Sequence, residues 1–458
     1  MPVHSAIQFV VRKISVAEGS FAPGHLGELT QIVPFEMVDA VLAQTRTVQR
    51  RVRDLPSRVV VYLLLAATLF SEYGYGGVWA QMTASLGGLG VATPTAGAMA
   101  QARRRLGAAP LRALFDLLRG PAPAGRGSSG VWWHDRLVCA VDGTMMCCPD
   151  TPANLSVYRK GGGHHGGTGY PMVRVLALVA CGTRSLLEVT FGSAGVGETT
   201  YTRRLLPALG PRMILLADRN FAAADLIGQI ASTGADLLIR VKTSRKLPVC
   251  RSLPDGSWLS QLGPVPVRVI RSAITITTSQ GRRTEVYQLI TTVTDPDITA
   301  VELVRLYHQR WEIETAFLEL KSTVLNQRVL RARTPGGIEQ EIYALLVTYQ
   351  ALRIAIADAT LTSGDVDADR CSFTLALAAA RDQLIKAEGV IGDTTIDLLG
   401  VLGRRVLDNL MPARRSRISP RVVKRAISNY APHTGKGRLR GPTHQATISI
   451  DILPDPDP

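Results

Sequence analysis

The chain has no pair of cysteines at Cys-x2-Cys spacing. Its six cysteines, at 139, 147, 148, 181, 250 and 371, therefore suggest neither a zinc finger nor a disulfide framework. Cys139 sits inside an apolar run, and the set reads as reduced, mostly buried thiols of a cytoplasmic protein. Long apolar runs are missing too. The longest, Val59 to Phe70, is about half the length that spans a bilayer. Arg12 and Lys13 follow the short apolar piece near the N-terminus, which is not a secretory-signal pattern. No membrane partner is expected. Acidic residues are the minority charge: 37 Asp+Glu against 52 Lys+Arg give +15. That balance favours polyanionic partners, although any strongly basic protein shares it. No internal repeat is apparent. A phosphate loop is absent as well, because the glycines of Lys160–Gly169 lack a Gly-Lys-Ser/Thr ending and do not lead a strand into a helix. That stretch reads as a loop, and its His164 and His165 as solvent-exposed, since no cysteine stands at zinc-ligand spacing.

What is present is a folded chain. At 458 residues with 46% hydrophobic and 19% charged residues, roughly two to four domains are expected. Residues 1–120 read as a helical, DNA-binding N-terminal domain. Pro56 opens an apolar helix near 57–70, another helix covers 77–86, and Thr95 or a neighbour caps one that runs through Arg103, Arg104 and Arg105. Those three arginines suit a DNA-contacting helix; a solvated basic surface would look the same. A Gly/Pro/Ser-rich linker, Gly120–Gly130, closes this part.

After it the pattern changes. Strands are expected at Arg136–Val141, Val173–Ala180 and Leu186–Phe191, a helix over Thr199–Leu209, a strand at Arg212–Ala217, a helix over Phe221–Ser232 and a strand at Asp236–Val241. Three strands followed by helix–strand alternation describe an α/β fold with a mixed sheet. Residues 131–242 form its first part. Residues 243–296 read as a β-rich insertion, and 297–410 as the completion of the core, with helices at about 299–326 and 338–358. Residues 411–458 read as a basic C-terminal arm, because Arg414 to Arg440 holds nine Lys/Arg and no acidic residue.

Two aspartates end apolar runs: Asp142 after Val138-Cys-Ala-Val, and Asp218 after Met213-Ile-Leu-Leu-Ala. In open α/β sheets, ligands gather beyond the carboxyl ends of strands. A plain Asp-Gly turn at Asp142 and a helix cap at Asp218 are the ordinary alternatives. Tyr307, Arg310, Glu314 and Lys321 are spaced by three, four and seven residues, which puts them near one face of a helix. A cation on each side would keep Glu314 ionised and offer phosphate contacts. A salt-bridged surface helix is the competing reading. Glu312 and Glu319 lie off the stripe and rank below Glu314, and Trp311 reads as core packing. Lys242, at a strand end, is a candidate phosphate contact. Three carboxylates can hold two Mg2+ ions, which together activate an oxygen nucleophile, stabilise the leaving oxygen and neutralise phosphate charge. Mn2+ is expected to substitute.

Asp142-Gly-Thr, Asp218-Arg-Asn-Phe and Tyr307-x2-Arg310-x3-Glu314-x6-Lys321 together resemble the DDE transposases of the IS4 family of bacterial insertion sequences. Gln101-Ala-Arg-Arg-Arg-Leu-Gly and Gly27-Glu-Leu-Thr-Gln-Ile-Val-Pro resemble the helical N-terminal domain of one branch. The resemblance implies an RNase H-like core interrupted by the β insertion, with Asp142, Asp218 and Glu314 as catalytic metal ligands. It makes Tyr307 and Arg310 phosphate contacts and Lys321 a terminal-strand contact. It also implies double-stranded DNA with terminal inverted repeats and target DNA as partners, a homodimeric synaptic complex, cut-and-paste movement through a hairpin step in relatives, and a cytoplasmic, nucleoid-associated enzyme. The alternatives are a metal-dependent nuclease without strand transfer and a non-catalytic DNA-binding or regulatory protein.

Overall fold

The computed structural model describes residues 23–49, 51, 53–86, 90–124, 128, 130–160, 169–279, 281–363, 366–387, 400–411, 417–418 and 444–454. The histidine-containing loop and most of the basic C-terminal segment lie outside the described residues. Helices lead the chain: α1 (Phe35–Gln44), α2 (Ser57–Leu69), α3 (Tyr75–Thr83), α4 (Ala96–Leu106) and α5 (Ala109–Leu118). From Val59 to Leu69 every side chain of α2 is buried. A helix that is apolar all round has to be enclosed, and each such Leu or Val contributes roughly 1.5–3 kcal/mol when fully buried. Thr95 caps α4, its Oγ1 accepting from the Ala98 N–H at 3.2 Å. Gly107, at φ 69°, ends that helix in a conformation that favours glycine.

The sheet follows. Strands β1 (Arg136–Cys147), β2 (Met172–Ala180), β3 (Leu186–Ser193), β4 (Met213–Ala217) and β5 (Asp236–Val241) lie in the order β3-β2-β1-β4-β5. The first three are antiparallel, while β1–β4 and β4–β5 are parallel. This is the RNase H-like arrangement. Strand β1 runs six residues beyond the expected end at Val141, because it keeps pairing with β2 as far as Cys147↔Met172. It leaves β4 earlier, after Ala140↔Leu216.

Helices α6 (Glu198–Leu205) and α7 (Ala224–Ser232) cover one face, packing Tyr201, Leu205, Leu226 and Ile230 against Cys139, Val141, Leu215 and Leu237. The alternate residues Val138, Ala140, Ile214, Leu216 and Leu238 belong to the other face and to a core shared with the remaining helices.

The strands of the expected insertion continue the same sheet. Strand β6 (Val265–Thr278) pairs with β7 (Gly281–Thr291), and β7 pairs antiparallel with β5. In the C-terminal segment, β8 (His444–Leu453) pairs with β6 from Ala446↔Thr278 to Leu453↔Arg271.

The expected helix at 299–326 is a helical path of changing pitch. It consists of α8 (Ala300–Tyr307), a 3-10 turn (His308–Arg310), α9 (Trp311–Leu318) and a π-turn (Glu319–Val324). Leu303 and Ile313 dock it on the second face of the sheet. Behind it runs α10 (Pro335–Ser363), flanked by α2 and α5 and by α11 (Phe373–Lys386) and α12 (Gly400–Leu407). Helix α10 is long and apolar enough to cross a membrane, yet 83% of its most apolar stretch is buried inside the protein. It is the central helix of the core, which runs from Leu26 to Val406 and joins the N-terminal helices to the sheet.

Candidate active site

Register brings the two aspartates together. Ala140 pairs with Leu216, and Leu216 with Leu238. Two residues further along each strand, on the same face by alternation, come Asp142, Asp218 and Arg240. That face receives α8 and α9, so Glu314 approaches the row from above.

Arg310 links Glu314 to Asp142. Arg310 Nη2 donates to Glu314 Oε1 at 3.1 Å, and its Nη1 stands 3.7 Å from Asp142 Oδ2. Asp142 Oδ1 accepts from the Gly143 N–H at 2.7 Å. Asp218 Oδ1 accepts from the Asn220 N–H at 2.8 Å, so Asp218 does cap the short turn after β4. One such bond leaves most of a carboxylate's acceptor sites for a ligand.

Burial pushes the Asp142 carboxyl up to about 6. The Gly143 amide opposes that shift, Asp218 adds to it, Arg310 opposes it and Glu314 adds to it. Burial also acts against the charge on Arg310, but Tyr307, Glu314 and Asp142 outweigh it and the net shift is upward. Among the described residues, no three His, Cys, Asp or Glu side chains are grouped tightly enough to hold a metal as they stand. The cation inside the cluster is Arg310. The donor set still fits Mg2+: three hard carboxylates, with Asp142 half-buried and short of compensating positive charge.

The rest of the stripe is placed as follows. Tyr307 is buried, and its hydroxyl donates to the Ala217 carbonyl at 3.2 Å, just before Asp218. Lys321 Nζ donates to Thr144 Oγ1 at 3.1 Å, two residues along β1 from Asp142, and burial lowers its pKa. Trp311 departs from the expectation of core packing. It is 43% exposed, with the Arg310 guanidinium 5.4 Å from its ring centre, because the turn before α9 directs it away from the sheet. Glu312 and Glu319 face the interior and pair with buried arginines. Lys242 is exposed just past the end of β5.

Arg240 was not read from the sequence, although it stands two residues before Lys242 and shares its strand face. Its guanidinium stacks on Tyr287 at 3.8 Å, and its field reaches Tyr307. In the N-terminal helices, Arg103 stacks on Tyr75 at 3.7 Å, while Arg104 and Arg105 are exposed. Arg105 lines a cleft of about 300 Å³ with Arg46, Arg51 and Arg53. None of that lining comes from β1, β4 or the helical path from Ala300 to Val324.

Residues 133–350 match the transposase DDE domain, and residues 23–116 match the insertion element 4 transposase N-terminal domain. The chain belongs to the IS4-family DDE transposases. It is similar to the transposase InsG for insertion sequence element IS4 of Escherichia coli (strain K12), at 25% identity over 415 residues, covering 86% of this chain and 91% of that protein. It is also similar to the putative transposase InsZ of the same organism, at 26% identity over 213 residues, covering 44% of this chain and 67% of that one. Among solved structures, a piggyBac transposase synaptic complex with hairpin DNA covers 84% of this chain and 85% of its own, at 10% identity and a TM-score of 0.43. The DDE match contains the whole path from Asp142 to Lys321, so the cluster described above lies inside the matched domain.

Proposed function

We propose that this family member cuts and joins DNA at the inverted repeats of its own insertion sequence, in a cut-and-paste reaction. Asp142, Asp218 and Glu314 would hold two Mg2+ ions, with Mn2+ able to replace them. The observation that carries this reading is the shared strand register that sets Asp142 beside Asp218 under the helix bearing Glu314. When bound, the metal supplies activation of the attacking oxygen and neutralisation of the scissile phosphate.

The chain's own groups prepare that reaction. Arg310 carries a charge that can pass from Glu314 and Asp142 to a phosphate oxygen through the same planar fork. Tyr307 holds the helix against the end of β4 and so sets the distance between Asp218 and Glu314. Lys321, Lys242 and Arg240 extend positive charge around the carboxylates for the DNA backbone. Arg103, Arg104 and Arg105, with the arginine-lined cleft beside them, give the N-terminal helices a second contact to double-stranded DNA. Two copies, one for each transposon end, would act together in a synaptic complex with target DNA.

The test uses labelled duplexes that carry the inverted repeat flanking the gene, together with an unlabelled target plasmid and Mg2+. Labelled end covalently joined to the plasmid supports the transposase reading. Cleavage at the repeat boundary with no joined product would reduce it to a nuclease, and binding without cleavage would contradict both.

A further inference from the structure

Beneath the catalytic helix lies a set of charges that the chemistry above does not use. Glu312 and Glu319, seven residues apart, point into the protein and are 5% and 7% exposed. Arg184 and Arg353, 2% and 1% exposed, meet them there. Arg184 Nε donates to Glu312 Oε2 at 2.6 Å and its Nη1 to Glu319 Oε1 at 3.2 Å. Arg353 Nη2 pairs with Glu319 Oε2. The Tyr349 hydroxyl lies 3.0 Å from that same oxygen and 3.1 Å from the Arg184 carbonyl, and it accepts from Arg353 Nε at 3.2 Å.

Two features make this more than a stabilising cluster. A buried ion-pair network is a poor way to gain stability, because apolar side chains of similar volume usually do as well or better. Its location is specific as well. Glu319 is the first residue of the π-turn, and such turns re-aim the residues that follow them. Lys321 comes two residues later and reaches Thr144 on β1. Glu312 stands two residues before Glu314. The network therefore grips the inner face of the helix at Glu312, two residues before Glu314, and at Glu319, two residues before Lys321. The grip comes from two places outside that helix: Arg184 in the turn between β2 and β3, and Arg353 with Tyr349 on α10.

We propose that Arg184 and Arg353 are positioning residues that fix the rotation of the catalytic helix about its axis, through Glu312 and Glu319, so that Glu314 and Lys321 face Asp142 and Thr144. This rests on the reading of Asp142, Asp218 and Glu314 as the catalytic carboxylates.

Glu319→Met combined with Arg353→Met tests it, because the pair removes one buried charge of each sign, leaves Arg184 matched to Glu312 and fills the space with side chains of similar length. The full chain is compared with wild type for thermal midpoint, affinity for its own inverted-repeat duplex, cleavage rate at saturating DNA and the Mn2+ concentration that gives half-maximal cleavage. Asp142→Ala is run alongside. The expected result is a near-wild-type thermal midpoint and DNA affinity, with cleavage slowed on the order of 100-fold, the loss that a misplacement of about 1 Å can cause, and a Mn2+ midpoint moved upward. Wild-type cleavage rate and Mn2+ midpoint in the folded double variant would overturn the proposal. Should that variant not fold, Arg353→Lys keeps the charge but loses the planar fork; the same split between rate and stability supports the proposal, and an unchanged rate overturns it. Undiminished cleavage by Asp142→Ala would instead remove the catalytic reading itself, whatever the double variant does.

Discussion

Arg310 bonds to Glu314 one helical turn away at 3.1 Å and points its other nitrogen toward Asp142 at 3.7 Å. An internal cation thus sits between two carboxylates assigned to metal. It keeps like charges together before substrate arrives, and it competes with a divalent ion for the same oxygens. Arg310→Met is predicted to abolish end cleavage while tightening Mn2+ binding to DNA-free protein. A gain on the order of tenfold needs only about 1.4 kcal/mol of relieved repulsion. Electron paramagnetic resonance of free Mn2+ reads it directly, and weaker binding in the variant would rule out the competition.

The raised Asp142 carboxyl sets a pH dependence with a definite sign. Its folded value of about 6 lies above its ordinary 3.8, so the native state holds that proton more tightly than the unfolded chain. The metal-free protein therefore loses stability as pH rises from about 4 through about 6, and this contribution is flat beyond. Metal needs the ionised form. Mg2+ is predicted to raise the thermal midpoint more at about pH 7.5 than at about pH 5. Asp142→Asn should raise the metal-free midpoint at the higher pH and lose most of the Mg2+ effect. Equal Mg2+ stabilisation at both pH values would contradict the assignment.

Arg268 carries a structural prediction. It is fully buried and donates to Ser257 Oγ and to the carbonyls of Asp295 and Ile298 at 2.8, 2.9 and 2.6 Å. It also pairs with Asp255, whose carboxylate accepts the Ala300 N–H at 2.6 Å and so anchors the start of α8. Arg268→Met is predicted to cost about 3–5 kcal/mol, as expected when one partner of a buried pair is removed. Urea unfolding checks this, and a loss below about 1 kcal/mol would mean that Asp255 finds other partners.

Trp311 separates surface from core. Because it is 43% exposed, Trp311→Ala is predicted to shift the thermal midpoint by no more than about 2 °C. A core tryptophan would cost about 3–5 kcal/mol, and a loss of that size would return Trp311 to the interior.

Much of this arrangement was legible in the residues because it rests on local pattern. Apolar runs ending in Asp142 and Asp218, and Arg310, Glu314 and Lys321 at near-helical spacing, are signals contained within a few turns or strands of chain. The same runs pointed to an α/β fold with a mixed sheet, while the RNase H-like core was implied by the family resemblance and its strand order needed the pairing of distant strands. Other parts depend on partners far away in sequence. Glu312 looked like a spare carboxylate because Arg184, which claims it, lies 128 residues earlier. Glu319 is claimed by Arg353, 34 residues later. Arg240 gained meaning only when the register of β4 and β5 set it beside Asp218. Trp311 was expected in the core because large aromatics are mostly buried, a tendency that the turn at His308–Arg310 overrides. The alternation Ile448, Ile450, Ile452 of β8 went unread beside the basic stretch that precedes it.

Asp142, Asp218 and Glu314 are proposed to form one metal-dependent site. The most direct measurement is Mg2+-dependent cleavage of the chain's own inverted-repeat duplex by wild type and by Asp142→Ala, Asp218→Ala and Glu314→Ala, each checked for fold and for DNA binding. Boundary cleavage is expected from wild type, and a loss of at least about 10³-fold in each variant, as when a group essential to the reaction is removed, with DNA binding retained. Cleavage that survives the loss of any one of the three carboxylates would contradict the proposed site.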